Sequence, residues 1–305
     1  MLKIIAYVES PFQLTNCIHW IKYSGNQECV VEILVRTSTN NKLTRKMQHI
    51  SRINPIGNYK YVEVANGRIM KILSLFKIGA ALLCKSFIYD KIIIGDARNI
   101  IARIILKLPF FVIRKIILVD DGLYLLDHID KIAELPITVY STLPLESANY
   151  NLAANVNIEK QKIGDNIENN GSEAIIFIGT KLTEIGFISE DDYLKRLAEI
   201  YSPDKQALYF PHREESSEKI KLVQAIGFNI VETNSSIEDY FEVNGAPVGD
   251  YYSYYSTALL NLSLRIPFAS FKAINIDLNK LPLAEKNAIK RCYEIFKLSG
   301  IEILE

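Results

Sequence analysis

The chain has 305 residues, of which 49% are apolar and 23% are charged, with 35 basic and 35 acidic residues in balance. This composition excludes wholesale disorder and a fibrous repeat, and the zero net charge argues against a nucleic-acid binder that relies on bulk positive charge. The length is close to that of two domains of about 150 residues each.

Short β-branched runs alternate with helix-like segments along the chain. In the first half the runs are LKIIAYV, VVEILVR, YKYVEV, DKIIIG, RKIILV and ITVYST, and in the second half EAIIFIG, ALYFPH, FNIVET and PFASFKAI. Continuously apolar runs are typical of strands buried on both faces of a parallel sheet. The alternation predicts two doubly wound α/β domains that face each other across a cleft, with ligands at the carboxyl ends of the strands.

The boundary between the two domains is expected in residues 150–172, which are rich in Asn and poor in large apolar residues. We therefore predict an N-terminal domain of residues 1–155 and a C-terminal domain of residues 172–305. The final amphipathic segment predicts a helix that ends at Gly300 and packs on either domain.

Polar residues follow two of the predicted strands in the first half. The segment ESPFQL opens the first helix with Ser10, Pro11 and Gln13, and the segment VDDG follows the fifth strand with Asp120, Asp121 and Gly122. One of the two carboxylates is a candidate general base, with the second raising its pKa or orienting it, and the glycine allows a tight turn. An acidic turn or helix cap is the alternative, and a metal site is less favoured because no further ligand follows at a suitable spacing.

The segment LYFPHREE in the second half ends a predicted strand on a histidine and an arginine. His212 can donate to an anionic leaving group, and Arg213 can neutralise its charge. The alternatives are a histidine with a purely structural role and an Arg213 that pairs with a neighbouring glutamate.

Two further segments of the second half are typical of phosphate or nucleotide contacts. Hydroxyl side chains at the start of a helix form either a phosphate site or a simple N-cap. The segment YSTALLNL has two such hydroxyls in succession. We interpret the residues before them, 244–255, as a loop with aromatics. The segment IGTKL ends the first strand of this half. The candidate residues are Ser256, Thr257, Gly179, Thr180 and Lys181.

Residues 60–115 are strongly basic. They contain eleven Lys or Arg and three acids, which gives a net charge of about +8 by subtraction. This stretch is expected either to form ordinary solvated helix faces or to lie against an anionic membrane surface or a phosphate-rich partner.

The cysteines and the N-terminus bear on the compartment. Cys17, Cys29, Cys84 and Cys292 are scattered without a CxxC pair, so we expect neither a zinc site nor a disulfide framework. The first apolar run is too short for a signal peptide, and charges and a proline interrupt the most apolar region. We predict a cytoplasmic protein that is at most peripheral to a membrane.

Taken in order, the segments ESPFQL, VDDG, IGTKL, FPHRE and YSTALLNL resemble the bacterial GT-B sialyltransferases, most closely the lipooligosaccharide and capsule group of glycosyltransferase family 52. Relatives share an acidic-acidic-Gly motif, a His-Pro motif and a Ser-Ser/Thr motif. The resemblance covers about residues 4 to 265. It implies the GT-B fold, with the base and the acceptor side in the N-terminal domain and the CMP donor in the C-terminal domain.

Carried over residue by residue, the acidic motif falls on Asp121, with Asp120 as the alternative base. His212 matches the histidine that supports the departing cytidine monophosphate, and Ser256 and Thr257 match the pair that binds the donor phosphate. Here proline precedes the histidine, whereas the family places it after. That difference leaves the hydrogen-bonding role of His212 open.

The resemblance implies an inverting, metal-independent transfer of sialic acid from CMP-sialic acid to a sugar hydroxyl, such as that of a galactoside in lipooligosaccharide or capsule. The implied partners are this donor and a glycan or glycolipid acceptor, with no nucleic acid, metal or other cofactor. Three alternatives stay open: another CMP-nonulosonic acid such as legionaminic or pseudaminic acid, a nucleotide diphosphate sugar, and a non-catalytic binding protein. A homodimer and peripheral contact with the cytoplasmic face of the inner membrane also stay open.

Overall fold

The computed structural model describes residues 1–24, 28–37, 41–64, 68–96, 100–119, 122–123, 125–126, 132, 134–145, 157–160, 166–233 and 236–305. The chain divides into two compact units, Met1–Gln161 and Lys162–Glu305. No helix in the described part of the chain is both long and apolar enough to cross a membrane.

The first unit is a seven-stranded parallel sheet with helices between the strands. Its strands are β1 (Leu2–Val8), β2 (Cys29–Thr37), β3 (Asn58–Glu63), β4 (Lys91–Ile94), β5 (Ile116–Val119), β6 (Thr138–Ser141) and β7 (Asn157–Lys160). Its helices are α1 (Pro11–Ser24), α2 (Asn41–Ile53), α3 (Arg68–Ser86), α4 (Ile100–Ile105) and α5 (Phe110–Ile113). The strand order is β3-β2-β1-β4-β5-β6-β7.

The core of the first unit forms around β1, which is apolar along both faces. Its residues Ile4 and Ile5, although they point to opposite faces, are both fully buried. One cluster joins alternate residues of β1 to Leu14 and Trp20 of α1 and to Ile33 of β2. Burial on both faces is why these strands show no alternation of polar residues in the sequence.

The second unit is a six-stranded parallel sheet. Its strands are β8 (Asn169–Ile178), β9 (Gln206–Phe210), β10 (Asn229–Ile230), β11 (Ala246–Ser253), β12 (Ser270–Ile274) and β13 (Glu302–Leu304). Its α-helices are α6 (Glu190–Ile200), α7 (Ser217–Ile226), α8 (Ile237–Asn244), α9 (Thr257–Ser263) and α10 (Leu283–Leu298). The strand order is β10-β9-β8-β11-β12-β13. The predicted pair of doubly wound α/β units is therefore present.

The last helix packs on the second unit. Tyr293 of α10 donates a hydrogen bond to the carbonyl of Ile274 at 2.8 Å, and Phe296 is fully buried. Gly300, which follows the helix, has φ +79°, a left-handed conformation that ends helices and favours glycine.

The interpretation of residues 244–255 as a loop was wrong. Most of this segment is β11, which lies between β8 and β12 near the middle of the sheet. Gly249 adopts φ +145° and lies so close to β8 that a Cβ there would stand 2.0 Å from the Ala174 carbonyl oxygen. The proline and glycine that suggested a loop accommodate an irregularity in the pairing of β11 with β8 instead.

The segment 150–172, expected to be a turn-rich boundary, contributes strands to both sheets. Residues Asn157–Lys160 form β7 at the edge of the first sheet, and β8 already begins at Asn169. Three of the four residues in NIEK are polar, so this edge strand lacks the apolar run that marks a central strand.

Candidate functional site

In both units the strand order runs outward in two directions from a central pair of strands. These pairs are β1 and β4 in the first unit, and β8 and β11 in the second. The carboxyl ends of such a pair are where open α/β sheets bind ligands, because the connections leave a crevice there. The segments ESPFQL, IGTKL and YSTALLNL follow β1, β8 and β11 respectively, and FPHRE follows β9, the other neighbour of β8.

The residues after β8 make close backbone contacts. The Gly179 N–H donates to the Phe210 carbonyl of β9 at 2.9 Å. A Cβ on Gly179 would stand 2.6 Å from Glu215 Oε2 and 2.8 Å from the Tyr209 hydroxyl, so only glycine fits without displacing these groups. The next residue, Thr180, is buried, and its Oγ1 has no hydrogen-bond partner in the described part of the chain.

His212 is held in a tight turn after β9. The Glu215 N–H donates to the His212 carbonyl at 3.0 Å, and the His212 N–H donates to Glu215 Oε2 at 2.9 Å. The Glu214 N–H donates to His212 Nδ1 at 3.2 Å. Because Nδ1 accepts this hydrogen bond, the proton of the neutral ring is on Nε2.

The environment of His212 favours this neutral form. Burial lowers the pKa of His212 below its ordinary value of 6.5, while Glu214 raises it and Arg213 and Lys181 lower it. His212 is half-buried. His212 is thus arranged as a neutral N–H donor.

A buried ion pair supports the histidine turn, and the sequence interpretation missed it. The carboxylate of Glu215 accepts hydrogen bonds from the Tyr209 hydroxyl at 2.7 Å and from Lys219 Nζ at 2.8 Å, and neither charged side chain is exposed. Lys219 also donates to the Thr180 carbonyl at 2.9 Å and lies 3.8 Å from the centre of the Tyr193 ring. These contacts connect the turn that follows β9 to the loop that follows β8.

The pair is electrostatically coupled. Burial raises the pKa of Glu215, whereas the charge of Lys219 and its hydrogen bond oppose that shift. A sequence signal existed, because Lys219 lies four residues before Val223 and shares the buried face of α7 with it. A lysine on the buried face of a helix needs a partner.

Arg213 pairs with a neighbouring glutamate. Its Nε lies 3.5 Å from Glu214 Oε1, and its side chain is 63% exposed. Lys181 donates to Glu214 Oε2 at 3.0 Å and lowers the pKa of that carboxyl group. Two of the predicted phosphate-binding cations therefore share one carboxylate.

The hydroxyl pair begins α9, directly after β11. Ser256 is the N-cap residue and Thr257 is the first helical residue, but the Ser256 side chain makes no capping hydrogen bond. Ser253, at the end of β11, donates to the Ile178 carbonyl at 2.8 Å, so the ends of β8 and β11 lie side by side. The carboxyl edge of this sheet thus brings together the candidates of three segments.

The first unit has its own polar carboxyl edge after β1. Pro11 is the first residue of α1, and the Gln13 N–H donates to Ser10 Oγ at 3.1 Å. The buried Gln13 side chain accepts from the Glu9 N–H at 2.8 Å and lies against Gly95, where a Cβ would stand 2.3 Å from Gln13 Oε1. Gly95 follows β4, so these contacts join the central pair of strands.

Glu9 also lies at this edge, and it was not among the candidates selected from the sequence. Its carboxylate contacts Arg36 Nη1 at 2.9 Å and accepts from the Tyr7 hydroxyl at 2.6 Å. Its position in ESPFQL, between a strand and a helix, was the available signal.

The acidic pair Asp120 and Asp121 lies outside the described residues. It follows β5 in the sequence, and Gly122 has φ +72°, a left-handed value that favours glycine. In the described ranges no three His, Cys, Asp or Glu side chains lie together as metal ligands. The roles of the acids and the absence of a metal stay predictions.

A polar cavity of about 440 Å³ lies at the opposite, amino edge of the second sheet. Its lining includes Asn169 at the start of β8, Gly245 just before β11, and the ion pair of Arg265 with Glu242 at 2.5 Å. Because none of the predicted site residues lines this cavity, it is separate from the candidate site.

No protein-family model and no curated protein sequence matches this chain. Solved structures do. The α/β-galactoside α-2,3-sialyltransferase of Photobacterium phosphoreum matches with TM-score 0.56 at 12% identity, over 99% of this chain and 98% of that one. MnaA of S. aureus with UDP matches with TM-score 0.57 at 12% identity, over 98% and 90% of the two chains.

A third match is Anabaena Alr3699/HepE in complex with UDP and glucose, with TM-score 0.54 at 10% identity, over 98% of this chain and 92% of that one. At these identities the likeness concerns the fold alone. Together with the two parallel sheets it shows that the chain has the α/β GT-B fold, as predicted.

Proposed function

We propose that this protein is a glycosyltransferase that transfers sialic acid from CMP-sialic acid to a sugar hydroxyl, with inversion and without a metal. Glycosyltransferase action is supported by the GT-B fold and by the polar carboxyl edges of both sheets. The choice of a CMP-activated donor rests on the ordered motifs of the sequence and on the arrangement around His212.

The observation that carries the proposal is the orientation of His212. Its Nδ1 accepts a hydrogen bond from the Glu214 N–H, so the Nε2–H group is the donor that remains for a ligand. A neutral N–H donor in a half-buried position stabilises a phosphate oxygen without needing a low pH. The buried Glu215–Lys219 pair fixes the turn that presents this donor.

The proposed reaction is a single displacement. Asp121, or Asp120 in its place, takes the proton from the acceptor hydroxyl while that oxygen forms a bond to the anomeric carbon of the donor. The bond from this carbon to the phosphate oxygen breaks, and CMP leaves with the electron pair. His212, Ser256 and Thr257 stabilise the negative charge that develops on the phosphate.

The proposal predicts that incubation with CMP-sialic acid and a panel of galactosides yields sialylated product and free CMP, detected by mass. Asp121→Ala and His212→Ala are each expected to lower turnover by about a hundredfold or more while the protein stays folded. Unchanged turnover in both variants would refute the assignment. A donor panel that includes CMP-legionaminic and CMP-pseudaminic acid tests which nonulosonic acid is used.

A transferase for a nucleotide diphosphate sugar is the second candidate, because the MnaA and HepE structures, both with UDP, resemble this chain as closely as the sialyltransferase does. Exposing the protein to UDP-activated sugars in the same assay distinguishes the two. Product formation from those donors alone would replace the first proposal with the second.

A further inference from the structure

Helix α3 of the first unit exposes an apolar stripe. Leu73, Phe76, Ala80, Cys84 and, just beyond the helix, Phe87 recur at intervals of three or four residues, and all are exposed. Residues at this spacing lie on one face of a helix. A soluble surface helix normally places polar residues on such a face.

The stripe continues into a second exposed aromatic group. Phe110 and Phe111 open α5 and are 59% and 58% exposed, and the Phe111 ring lies 6.1 Å from the Phe87 ring, centre to centre. Ile88 beside Phe87 is 62% exposed. We call the exposed residues Leu73, Phe76, Phe87, Ile88, Phe110 and Phe111 the aromatic patch.

Basic side chains accompany the aromatic patch. Lys77 on α3, Arg103 on α4 and Lys107 before α5 are all exposed, and the Arg114 guanidinium lies 5.3 Å from the centre of the Phe110 ring. The stretch 60–115 that contains them has a net charge of about +8 from eleven bases and three acids. The patch therefore combines exposed aromatic rings with positive charge.

This combination is the one that binds the surface of an anionic membrane. Aromatic and aliphatic side chains enter the headgroup region, and lysine and arginine remain outside to contact the lipid phosphates. We propose that the aromatic patch docks the protein on an anionic lipid surface, with Phe110 and Phe111 inserted and Lys107 and Arg103 at the headgroups.

A second copy of the chain is the less favoured occupant. In a symmetric dimer the same patch would face itself, and the basic side chains of both copies would be brought close to each other. A lipid surface supplies the negative charge that the patch lacks.

The position of the aromatic patch is compatible with catalysis. Phe87 and Phe111 precede β4 and β5, so they lie at the amino edge of the first sheet, whereas Glu9 and Gln13 lie at its carboxyl edge. Docking through Phe87, Phe110 and Phe111 therefore places the amino edge of the first sheet, and not its polar carboxyl edge, against the lipid.

The test is co-sedimentation with vesicles of 30% phosphatidylglycerol in phosphatidylcholine, without any donor or acceptor, so that its outcome does not depend on the enzymatic proposal. We expect the protein to pellet at low ionic strength, less at 0.5 M NaCl and least with pure phosphatidylcholine. The double change Phe110→Ser/Phe111→Ser should weaken binding about tenfold or more, and Arg103→Gln/Lys107→Gln to a similar extent.

Two matched variants on the second unit serve as controls. Leu283→Ser removes a 73% exposed apolar side chain, and Lys195→Gln/Lys221→Gln removes two exposed charges. Both should pellet like the unaltered protein, and thermal melting verifies that every variant is folded. Absence of pelleting at low ionic strength, equal loss in the controls, or a dimer in sedimentation that the phenylalanine changes dissociate would overturn the proposal.

Discussion

His212 is arranged to donate one hydrogen bond from a neutral ring. Different substitutions of His212 should therefore lower turnover by different amounts. His212→Ala removes the donor and should lower turnover of CMP-sialic acid about a hundredfold. His212→Gln keeps a neutral N–H at a similar reach and should recover about tenfold of that loss. The measurement is steady-state kinetics on both variants. Equal losses would mean that the ring acts through its shape or its charge.

Because the pKa of His212 is lowered in the folded protein, the free energy of unfolding should depend on pH. Burial disfavours the charged ring, so its titration, followed by NMR of labelled histidine, should have a midpoint below 6.5. Protonation is then more favourable in the unfolded chain, and His212 reduces the free energy of unfolding as pH falls below about 6.5. CMP affinity should stay level between pH 7 and pH 8. A steep fall over that range would show that the cationic ring binds the phosphate.

Lys219 neutralises a buried carboxylate, so its removal should be costly. Lys219→Met leaves Glu215 buried and unpaired and is expected to lower the free energy of unfolding by about 3 kcal/mol at pH 8. The loss should shrink toward pH 5, because protonation of Glu215 removes the unpaired charge and a raised folded pKa favours the folded state at low pH. Denaturant unfolding at both values measures the change.

The double variant Lys219→Met/Glu215→Gln is the control for this interpretation. It removes the unpaired charge while an amide keeps part of the hydrogen bonding. It should be more stable than Lys219→Met alone at pH 8. If the two are equally unstable, the loss comes from packing of the lysine stem and not from charge.

At the scale of elements, the sequence predicted strands wherever an apolar run is long enough to be buried on both faces. β1 and β9 are such runs, and their ends carry the segments that the sequence singled out. β11 was not predicted because Pro247, Gly249 and Asp250 interrupt its apolar pattern. Its position in the sheet depends on pairing with β8 and β12, and the local sequence does not indicate that pairing.

The same limit applies to the candidate site. His212 and Thr180 were found because each follows an apolar run. Glu215 and Lys219 were missed because neighbouring charges usually indicate a solvated face. Only the tertiary structure shows that Glu215 is buried against Tyr209 and Lys219 against Tyr193.

Gly249 tests the importance of the irregular strand β11. Gly249→Ala adds a Cβ at φ +145° that would stand 2.0 Å from the Ala174 carbonyl oxygen, so the central pairing has to shift. We expect a loss of about 3 kcal/mol or more in the free energy of unfolding. Gly171→Ala, at φ +78° with open space around it, should cost only about 1 kcal/mol. Similar losses in both would show that backbone conformation, and not the close approach, dominates.

At the scale of the whole molecule, the fold alone does not choose the nucleotide, since structures with UDP and a sialyltransferase resemble the chain equally. A ligand at a hundred times its dissociation constant stabilises the folded state by about 2.7 kcal/mol. We expect CMP to raise the melting temperature by several degrees more than UDP at equal concentration. The reverse order would favour a nucleotide diphosphate sugar as donor.

The Glu214 carboxylate pairs with two side chains that the sequence predicts as phosphate contacts. Its carboxylate pairs with both Lys181 and Arg213, so under the proposed function a donor phosphate has to displace this carboxylate before it can contact the two cations. We therefore expect singly charged anions to gain little from this exchange, and the edge to favour a doubly charged phosphate over them. Glu214→Gln should tighten CMP binding, measured by titration calorimetry, by up to about fivefold. In the same experiment, inorganic phosphate should compete with CMP more strongly than it does in the unaltered protein. Unchanged affinity for both would mean that the two cations play no part in holding the phosphate.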